Sequence, residues 1–200
     1  MAPVTLRLYA LILLILCKSL ISTTSICKTD ILPAQNFDPK KYFKGKWYLT
    51  ATKFYLGDIT DVCEQTSNEI SPGGYVTEKT MHYFGEIERF IESVSVTNME
   101  DFNDGLANYN VTMEFKNIDY PDQRFHYKVT VLDTDYTNYS IRYSCVSMKH
   151  GDIGNYYIYK RHIDDETIDD KINQLIDQEG LDYSEFIFRK HANCKQHPYF

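Results

Sequence analysis

The chain has 200 residues, which suits one domain, and its 21 basic and 28 acidic residues give a net charge of −7 at pH 7. This charge repels phosphate backbones and the sequence has no basic stripe, so nucleic-acid binding is excluded. Outside the N-terminus, no apolar run approaches the length of a membrane span. We expect a monomer with neither a nucleic-acid nor a membrane partner.

Residues 1–25 have the composition of a secretory signal peptide. Arg7 supplies the positive start, Leu8–Cys17 the apolar core, and Ser22–Ser25 small residues suited to cleavage. The core is too short to span a bilayer as a mature helix, although an N-terminal anchor is the alternative. Removal takes Arg7 and Lys18 and no acidic residue, so the net charge moves from −7 to −9. We predict a secreted, extracellular protein whose domain spans residues 26–200.

The domain begins with one helical turn that leads into a strand. Asp38 can cap the turn and Pro39 suits its first position, where the missing N–H costs nothing. Gly45 then ends the turn, and Trp47–Ala51 has the aromatic and β-branched composition of a strand. The spacing Gly45-x-Trp47 resembles the G-x-W signature of the lipocalins, in which the tryptophan plugs one end of a barrel.

Seven further strands are predicted at short, regular intervals, separated by turn residues that include the hairpin Ser71–Gly74 and the loop Lys149–Gly154. They are Val62–Thr66, Tyr75–Phe84, Glu86–Thr97, Asn108–Ile118, Gln123–Leu132, Tyr139–Val146 and Asn155–Arg161. This spacing favours an all-β antiparallel sandwich or barrel. Eight strands close into an up-and-down barrel with room for one small ligand.

A single C-terminal helix follows the strands. Ile168, Ile172, Leu175 and Ile176 fall on one helical face, Asp164 or Asp165 can cap its start, and Gly180 suits its end. Glu185–Arg189 is predicted as a short closing strand. Eight strands followed by one helix is the order of elements in lipocalins.

The cysteines indicate disulfides rather than a metal or redox site. Cys17 leaves with the leader, and the remaining Cys27, Cys63, Cys145 and Cys194 are far apart with no C-x-x-C. An even number in an exported protein predicts two bridges, and the residues alone leave three connectivities open. Asn110 and Asn138 begin glycosylation sequons. We find no catalytic motif and do not expect an enzyme.

The segment Asp38–Tyr48 resembles the salivary lipocalins of triatomine blood-feeding bugs. That group contains the haem-carrying nitrophorins and the haem-free triabin and pallidipin relatives. The resemblance covers most of the mature chain and is closer to the nitrophorin pattern. It implies the pairings Cys27–Cys145 and Cys63–Cys194. It also implies that Arg161 or Arg189 stacks on Trp47 as the barrel-closing cation.

His82 decides what the resemblance implies about function. It stands in Thr80–Phe84, where nitrophorins place the histidine that ligates haem iron. The implied site is haem b on His82, with nitric oxide or histamine at the sixth position and Asp152 and Ile153 in a loop that closes over the ligand. Val146 and Tyr156 would line the distal side. Judged from residues alone, His82 is a half-buried strand histidine with a structural role.

Two other functions are compatible with the same fold. A haem-free calyx would sequester a biogenic amine or an eicosanoid between aromatic walls, and acidic residues at the mouth would favour an amine. Alternatively, the outer loops would inhibit a clotting protease or platelet activation, which makes a host haemostasis protein the partner. Either activity, like haem carriage, would be anti-haemostatic.

Overall fold

The structure is a computed structural model that describes residues 27–54, 62–116, 124–148, 151–198 and 200. Each long strand pairs antiparallel with the next, and β1 also pairs with β8, so the sheet closes on itself. The prediction of an eight-stranded antiparallel barrel is confirmed. The strands are β1 Lys46–Thr52, β2 Glu64–Ile70, β3 Tyr75–Phe84, β4 Arg89–Asn98, β5 Asn108–Phe115, β6 Arg124–Thr134, β7 Tyr139–Met148 and β8 Gly151–Lys160.

Short elements complete the described chain. Helix α1 (Pro39–Tyr42) precedes β1, helix α2 (Asp169–Gln178) follows β8, and strand β9 (Ile187–Phe188) pairs with β1. Three 3-10 helices lie at Met99–Phe102, Tyr183–Glu185 and Arg189–His191. Neither α-helix in the described ranges is long and apolar enough to cross a membrane.

One end of the barrel is closed by the residues around Trp47. Asp38 caps α1 by accepting from the N–H groups of Lys40 and Lys41, and Gly45 turns the chain with a φ of 76°. Trp47 is fully buried, and the Arg161 guanidinium lies 3.5 Å from the centre of its ring. Arg161, and not Arg189, is therefore the cation that stacks on Trp47. Arg189 instead donates to backbone carbonyls, including that of Val62 at 3.1 Å.

Helix α2 packs on the outer face of the barrel. Its buried residues Ile172 and Ile176 contact a cluster that includes Ile158, as the apolar face predicts. The predicted cap is wrong, because the helix begins at Asp169 after Ile168, which makes no side-chain cap bond. Asp165 instead accepts from the backbone N–H and the hydroxyl of Thr167, so it stabilises a separate turn before the helix.

Two disulfides join distant parts of the chain. Cys27 pairs with Cys145 and Cys63 with Cys194, which is the connectivity that the resemblance implies. Disulfides persist in oxidising compartments, in agreement with an extracellular protein. The predicted signal peptide, residues 1–25, lies outside the described residues.

The predicted loop 149–154 is wrong from Gly151 onward. Strand β8 begins at Gly151, and Asp152 and Ile153 pair with Ser147 and Val146 of β7. The sequence pattern suggested a turn because of the glycines. Gly154 is nevertheless a strand residue whose missing side chain makes room for the ring of Tyr143.

Candidate ligand-binding site

The barrel interior has an apolar end and a polar middle. Because strand side chains alternate between faces, every second residue points into the lumen. Near the closed end this set includes Trp47, Leu49, Val76, Tyr109, Val111 and Val129, which form one buried cluster with Tyr42 and Phe43. Farther along the strands the buried side chains are polar or charged. They include Glu64, Thr66, Glu78, Thr80, His82, Ser93, Ser95 and Arg142. Buried charges are costly unless they are paired, so this arrangement requires a specific explanation.

His82 lies in the lumen within a chain of hydrogen-bonding groups. Its Nε2 is 2.8 Å from the Ser93 hydroxyl on β4, and its Nδ1 is 3.3 Å from a carboxylate oxygen of Glu64 on β2. The hydroxyl of Tyr159 donates to the other oxygen of Glu64 at 3.2 Å. His82 is 7% exposed. Both ring nitrogens therefore face hydrogen-bonding partners, which holds the ring in one orientation.

A second group of charges crosses the barrel. Glu78 on β3 and Arg142 on β7 come from opposite walls, and an Arg142 Nη1 lies 3.7 Å from a Glu78 carboxylate oxygen. The guanidinium also lies 4.2 Å from the ring centre of Tyr159, and its Nε donates to the hydroxyl of Tyr42. Burial raises the pKa of Glu78, although Arg142 counteracts part of this shift.

Several buried polar atoms in this group have no hydrogen-bond partner within the described ranges. They are Glu78 Oε2, Arg142 Nη2, the Tyr109 hydroxyl and the Thr97 hydroxyl. Native interiors rarely leave such atoms unsatisfied, and an exception calls for an explanation such as a bound polar group. An ordered water or the polar group of a ligand would satisfy these atoms.

Family comparison establishes the lineage of this barrel. The model of the nitrophorin family matches residues 27–198. The chain belongs to the nitrophorin family. It is similar to Nitrophorin-3 of Rhodnius prolixus, with 26% identity over 202 residues that cover 93% of this chain and 94% of the relative. It is also similar to Triafestin-1 of Triatoma infestans, with 29% identity over 159 residues that cover 77% and 72% of the two chains. The predicted membership of the triatomine lipocalin group is confirmed.

A solved structure shows the same fold. The tryptamine complex of the amine binding protein of Rhodnius prolixus matches with a TM-score of 0.76 and 20% identity, over 88% of this chain and 92% of that one. At this level of identity the likeness establishes the lipocalin fold alone.

The predicted distal residues are only partly brought together. Val146 and Ile153 are cross-strand partners, half-buried, on the face of the sheet that carries Arg142. Asp152 is exposed one residue earlier. Tyr156 lies on the other face, 2% exposed, in the cluster between the barrel and α2. Its ring centre is 4.9 Å from that of Tyr143. Tyr156 therefore does not face the lumen. Neighbouring residues of a strand point to opposite faces, and Tyr157 and Tyr159 are the β8 tyrosines on the inner face.

The residues around His82 do not fit haem b. With Glu64 beside Nδ1, the nitrogen left for iron is Nε2, but Nε2 lies 2.8 Å from the Ser93 hydroxyl on the wall of the barrel instead of facing an open space. A porphyrin also needs a wide apolar space, whereas the lumen beside His82 holds the buried charges of Glu64, Glu78 and Arg142. We derive no haem chemistry from this barrel.

Sequence reasoning missed Glu64, Glu78 and Arg142. A usable signal was present, since Glu78, Thr80 and His82 alternate along β3, as Glu64 and Thr66 do along β2. Alternating polar residues usually mark the solvent face of a strand, so the same pattern was compatible with an ordinary surface.

The two predicted glycosylation sequons lie at the surface of β5 and in a turn. Asn110 is exposed on β5, and the Asn138 side chain donates to Asp135 in the turn before β7.

Proposed function

We propose that the calyx binds a small organic amine in its protonated form, without haem and without turnover. The observation that supports this most directly is the buried carboxylate of Glu64, which faces the lumen from β2 beside His82. An ammonium group is a natural partner for a buried carboxylate, because a charge-assisted hydrogen bond then offsets the desolvation of both groups.

Within this proposal, Glu64 receives the ammonium. Glu78 already faces the Arg142 guanidinium at 3.7 Å, so a second cation there would be repelled. Glu64 accepts from the hydroxyl of Tyr159 and lies beside His82, and the charge of Arg189, which donates to the Glu64 backbone carbonyl at 3.0 Å, also acts on it. A neutral imidazole at that position can share the carboxylate with the ligand, whereas a protonated one would compete with it.

Aromatic side chains supply the apolar part of the proposed site. Tyr157 and Tyr159 lie on β8, with ring centres 6.4 Å apart, and Phe115 on β5 lies 5.5 Å from the His82 ring. Such walls suit the ring of an arylalkylamine, and tyrosine faces also attract an ammonium. The amine binding protein of Rhodnius prolixus, whose fold this chain shares, was solved with tryptamine. The predicted net charge of the mature chain would also steer cations towards the protein.

Calorimetric titration with tryptamine, serotonin, noradrenaline and histamine tests the proposal. We expect one site per chain for at least one amine, and a Kd at least tenfold higher in Glu64→Gln, since a hydrogen bond to a charged group contributes about 1.5–3 kcal/mol. Glu69→Gln is the matched control, because Glu69 is exposed on the same strand. It removes the same charge from the protein and should leave Kd unchanged.

Two results would overturn the proposal. One is the absence of binding for every amine, or equal affinity in the wild type and Glu64→Gln. The other is a saturable Soret band at one ferric haem per chain that disappears in His82→Ala. The second result would establish the haem carriage implied by the sequence resemblance.

The proposed place of action is outside the cell. The two disulfides support this, and it requires removal of residues 1–25, which we propose as the signal peptide. Mass spectrometry of the secreted protein from insect cells would give the mature N-terminus. A chain that retained residues 1–25 would contradict the assignment.

A further inference from the structure

We propose that the deep part of the calyx is a second polar subsite, formed by Glu78, Arg142 and Tyr109, that binds a hydroxyl group on the ring of the ligand. The preferred ligand class is then a ring-hydroxylated arylalkylamine. This inference rests on the proposed function, because it assigns the end of the ligand opposite to the ammonium.

The first support is the set of unsatisfied atoms at this depth. Glu78 offers a carboxylate oxygen, Arg142 an Nη2 donor and Tyr109 a hydroxyl, each without a hydrogen-bond partner among the described residues. The three residues are 6%, 6% and 1% exposed. A buried polar atom without a partner is destabilising, so a polar group that reaches these atoms would gain several hydrogen bonds at once.

The second support is the chemistry of the three atoms. The two charged members, a donor and an acceptor, are an ion pair at 3.7 Å, and Tyr109, whose hydroxyl can donate or accept, interacts electrostatically with both. A ligand ammonium would be repelled by Arg142, and a ligand carboxylate by Glu78. A hydroxyl group donates one hydrogen bond and accepts two, so it can donate to Glu78 and accept from Arg142 or Tyr109. Burial raises the pKa of Tyr109 well above its ordinary value, so its own hydroxyl stays neutral.

The third support is the distance between the two subsites. Glu78 and His82 face the lumen from the same strand, four residues apart, and Glu64 is the cross-strand partner of His82. At about 3.3 Å per residue the two levels are separated by roughly 13 Å of strand. Side chains reach into the lumen from both levels and shorten this span. The side chain of Tyr159 shows the reach that is needed, because its hydroxyl donates to Glu64 at 3.2 Å while its ring centre lies 4.2 Å from the Arg142 guanidinium. An arylalkylamine of similar length beside Tyr159 would place an ammonium near Glu64 and a ring hydroxyl near Arg142.

Matched pairs of ligands test the subsite. Calorimetry would compare tyramine with phenethylamine and serotonin with tryptamine, and we expect the hydroxylated member of a pair to bind at least tenfold more tightly. In Tyr109→Phe this ratio should fall towards one, while the affinity for the member without the hydroxyl changes little. In Glu78→Gln the ratio should also fall towards one, but both members should bind more weakly, because the charge of Arg142 is no longer compensated and repels an ammonium. Tyr75→Phe is the control, because Tyr75 is half exposed on the outside of β3. It should keep the wild-type ratio.

The outcomes separate the two proposals. If amines bind through Glu64 but the hydroxyl makes no difference in the wild type, the subsite is refuted and the proposed function stands. A ratio that stays at the wild-type value in both Tyr109→Phe and Glu78→Gln also refutes it. Failure of every amine to bind would refute both. Tyr109→Phe removes only an atom that has no partner in the described structure, so a thermal melt close to wild type should accompany the measurement.

Discussion

The cross-barrel pair Glu78–Arg142 makes a sharp prediction about stability. In Arg142→Met, a side chain of similar length remains but the charge is lost, and Glu78 stays 6% exposed without its guanidinium. Removing one partner of a buried ion pair costs about 3–5 kcal/mol, because the remaining charge is left uncompensated in a medium of low dielectric constant. Loss of the bond to the Tyr42 hydroxyl acts in the same direction.

The sign of the pH dependence follows from Glu78. Burial already raises the pKa of its carboxyl in the folded state, and removing Arg142 takes away the influence that lowers it. A carboxyl with a raised pKa binds its proton more tightly when folded than when unfolded. The free energy of unfolding of Arg142→Met should therefore fall as the pH rises through that pKa, and the cost of the substitution should be larger at about pH 8 than at about pH 5.

Urea unfolding of the disulfide-bonded protein provides the assay. Trp47 is the only tryptophan and is fully buried, so its fluorescence reports the loss of the barrel core. Four proteins complete a cycle: wild type, Glu78→Gln, Arg142→Met and the double variant. If the two charges are coupled, the double variant should be less destabilised than the sum of the single variants by about 1–3 kcal/mol. Additive costs at both pH values would refute the reasoning, because they would mean that the two side chains do not interact.

Three further perturbations test the frame of the barrel. Replacing Cys63 and Cys194, 131 residues apart, by alanine should lower the free energy of unfolding by roughly 4–5 kcal/mol in the chain-entropy model, measured by calorimetry; an unchanged melting temperature would contradict it. Arg161→Lys keeps the charge but loses the planar guanidinium that donates to the Lys46 and Tyr42 carbonyls. We expect the free energy of unfolding in urea to fall by about 1–3 kcal/mol, whereas the exposed control Arg124→Lys should leave it unchanged. Ile172→Ala should lower the free energy of unfolding by about 2–5 kcal/mol, and the exposed control Gln174→Ala by under about 0.5 kcal/mol. Equal losses in the two variants would show that α2 does not pack on the barrel.

Much of the architecture follows from local patterns. Alternating apolar residues and turn signals predict all eight strands of the barrel, and Asp38, Pro39 and Gly45 predict the turn before β1. Helix α2 is predicted from its apolar face, but its start is not, because Asp165 is an equally good cap for the turn that precedes it. The disulfide pairing came from resemblance, since the spacing of four cysteines leaves the choice open.

The face that each strand residue presents is less predictable. Strict alternation would place Leu49 and Ala51 on the same side of β1, yet the pairing of β1 with β8 shifts between them. Leu49 consequently lies in the lumen cluster and Ala51 in the outer cluster under α2. An irregularity of one residue moves every side chain beyond it to the opposite face of the sheet, and the local sequence does not predict where it occurs.

The amino-acid sequence by itself determined the strands of the barrel and its closed end, because periodicity, capping residues and the G-x-W motif act over a few neighbouring positions. Only the tertiary structure decided the contents of the lumen. Glu78 and Arg142 are 64 positions apart in the numbering and meet because β3 and β7 are opposite walls of a closed sheet. Tyr156 lies outside the lumen and Glu64 inside it for the same physical reason, because strand register and barrel closure set which side of the wall a side chain occupies.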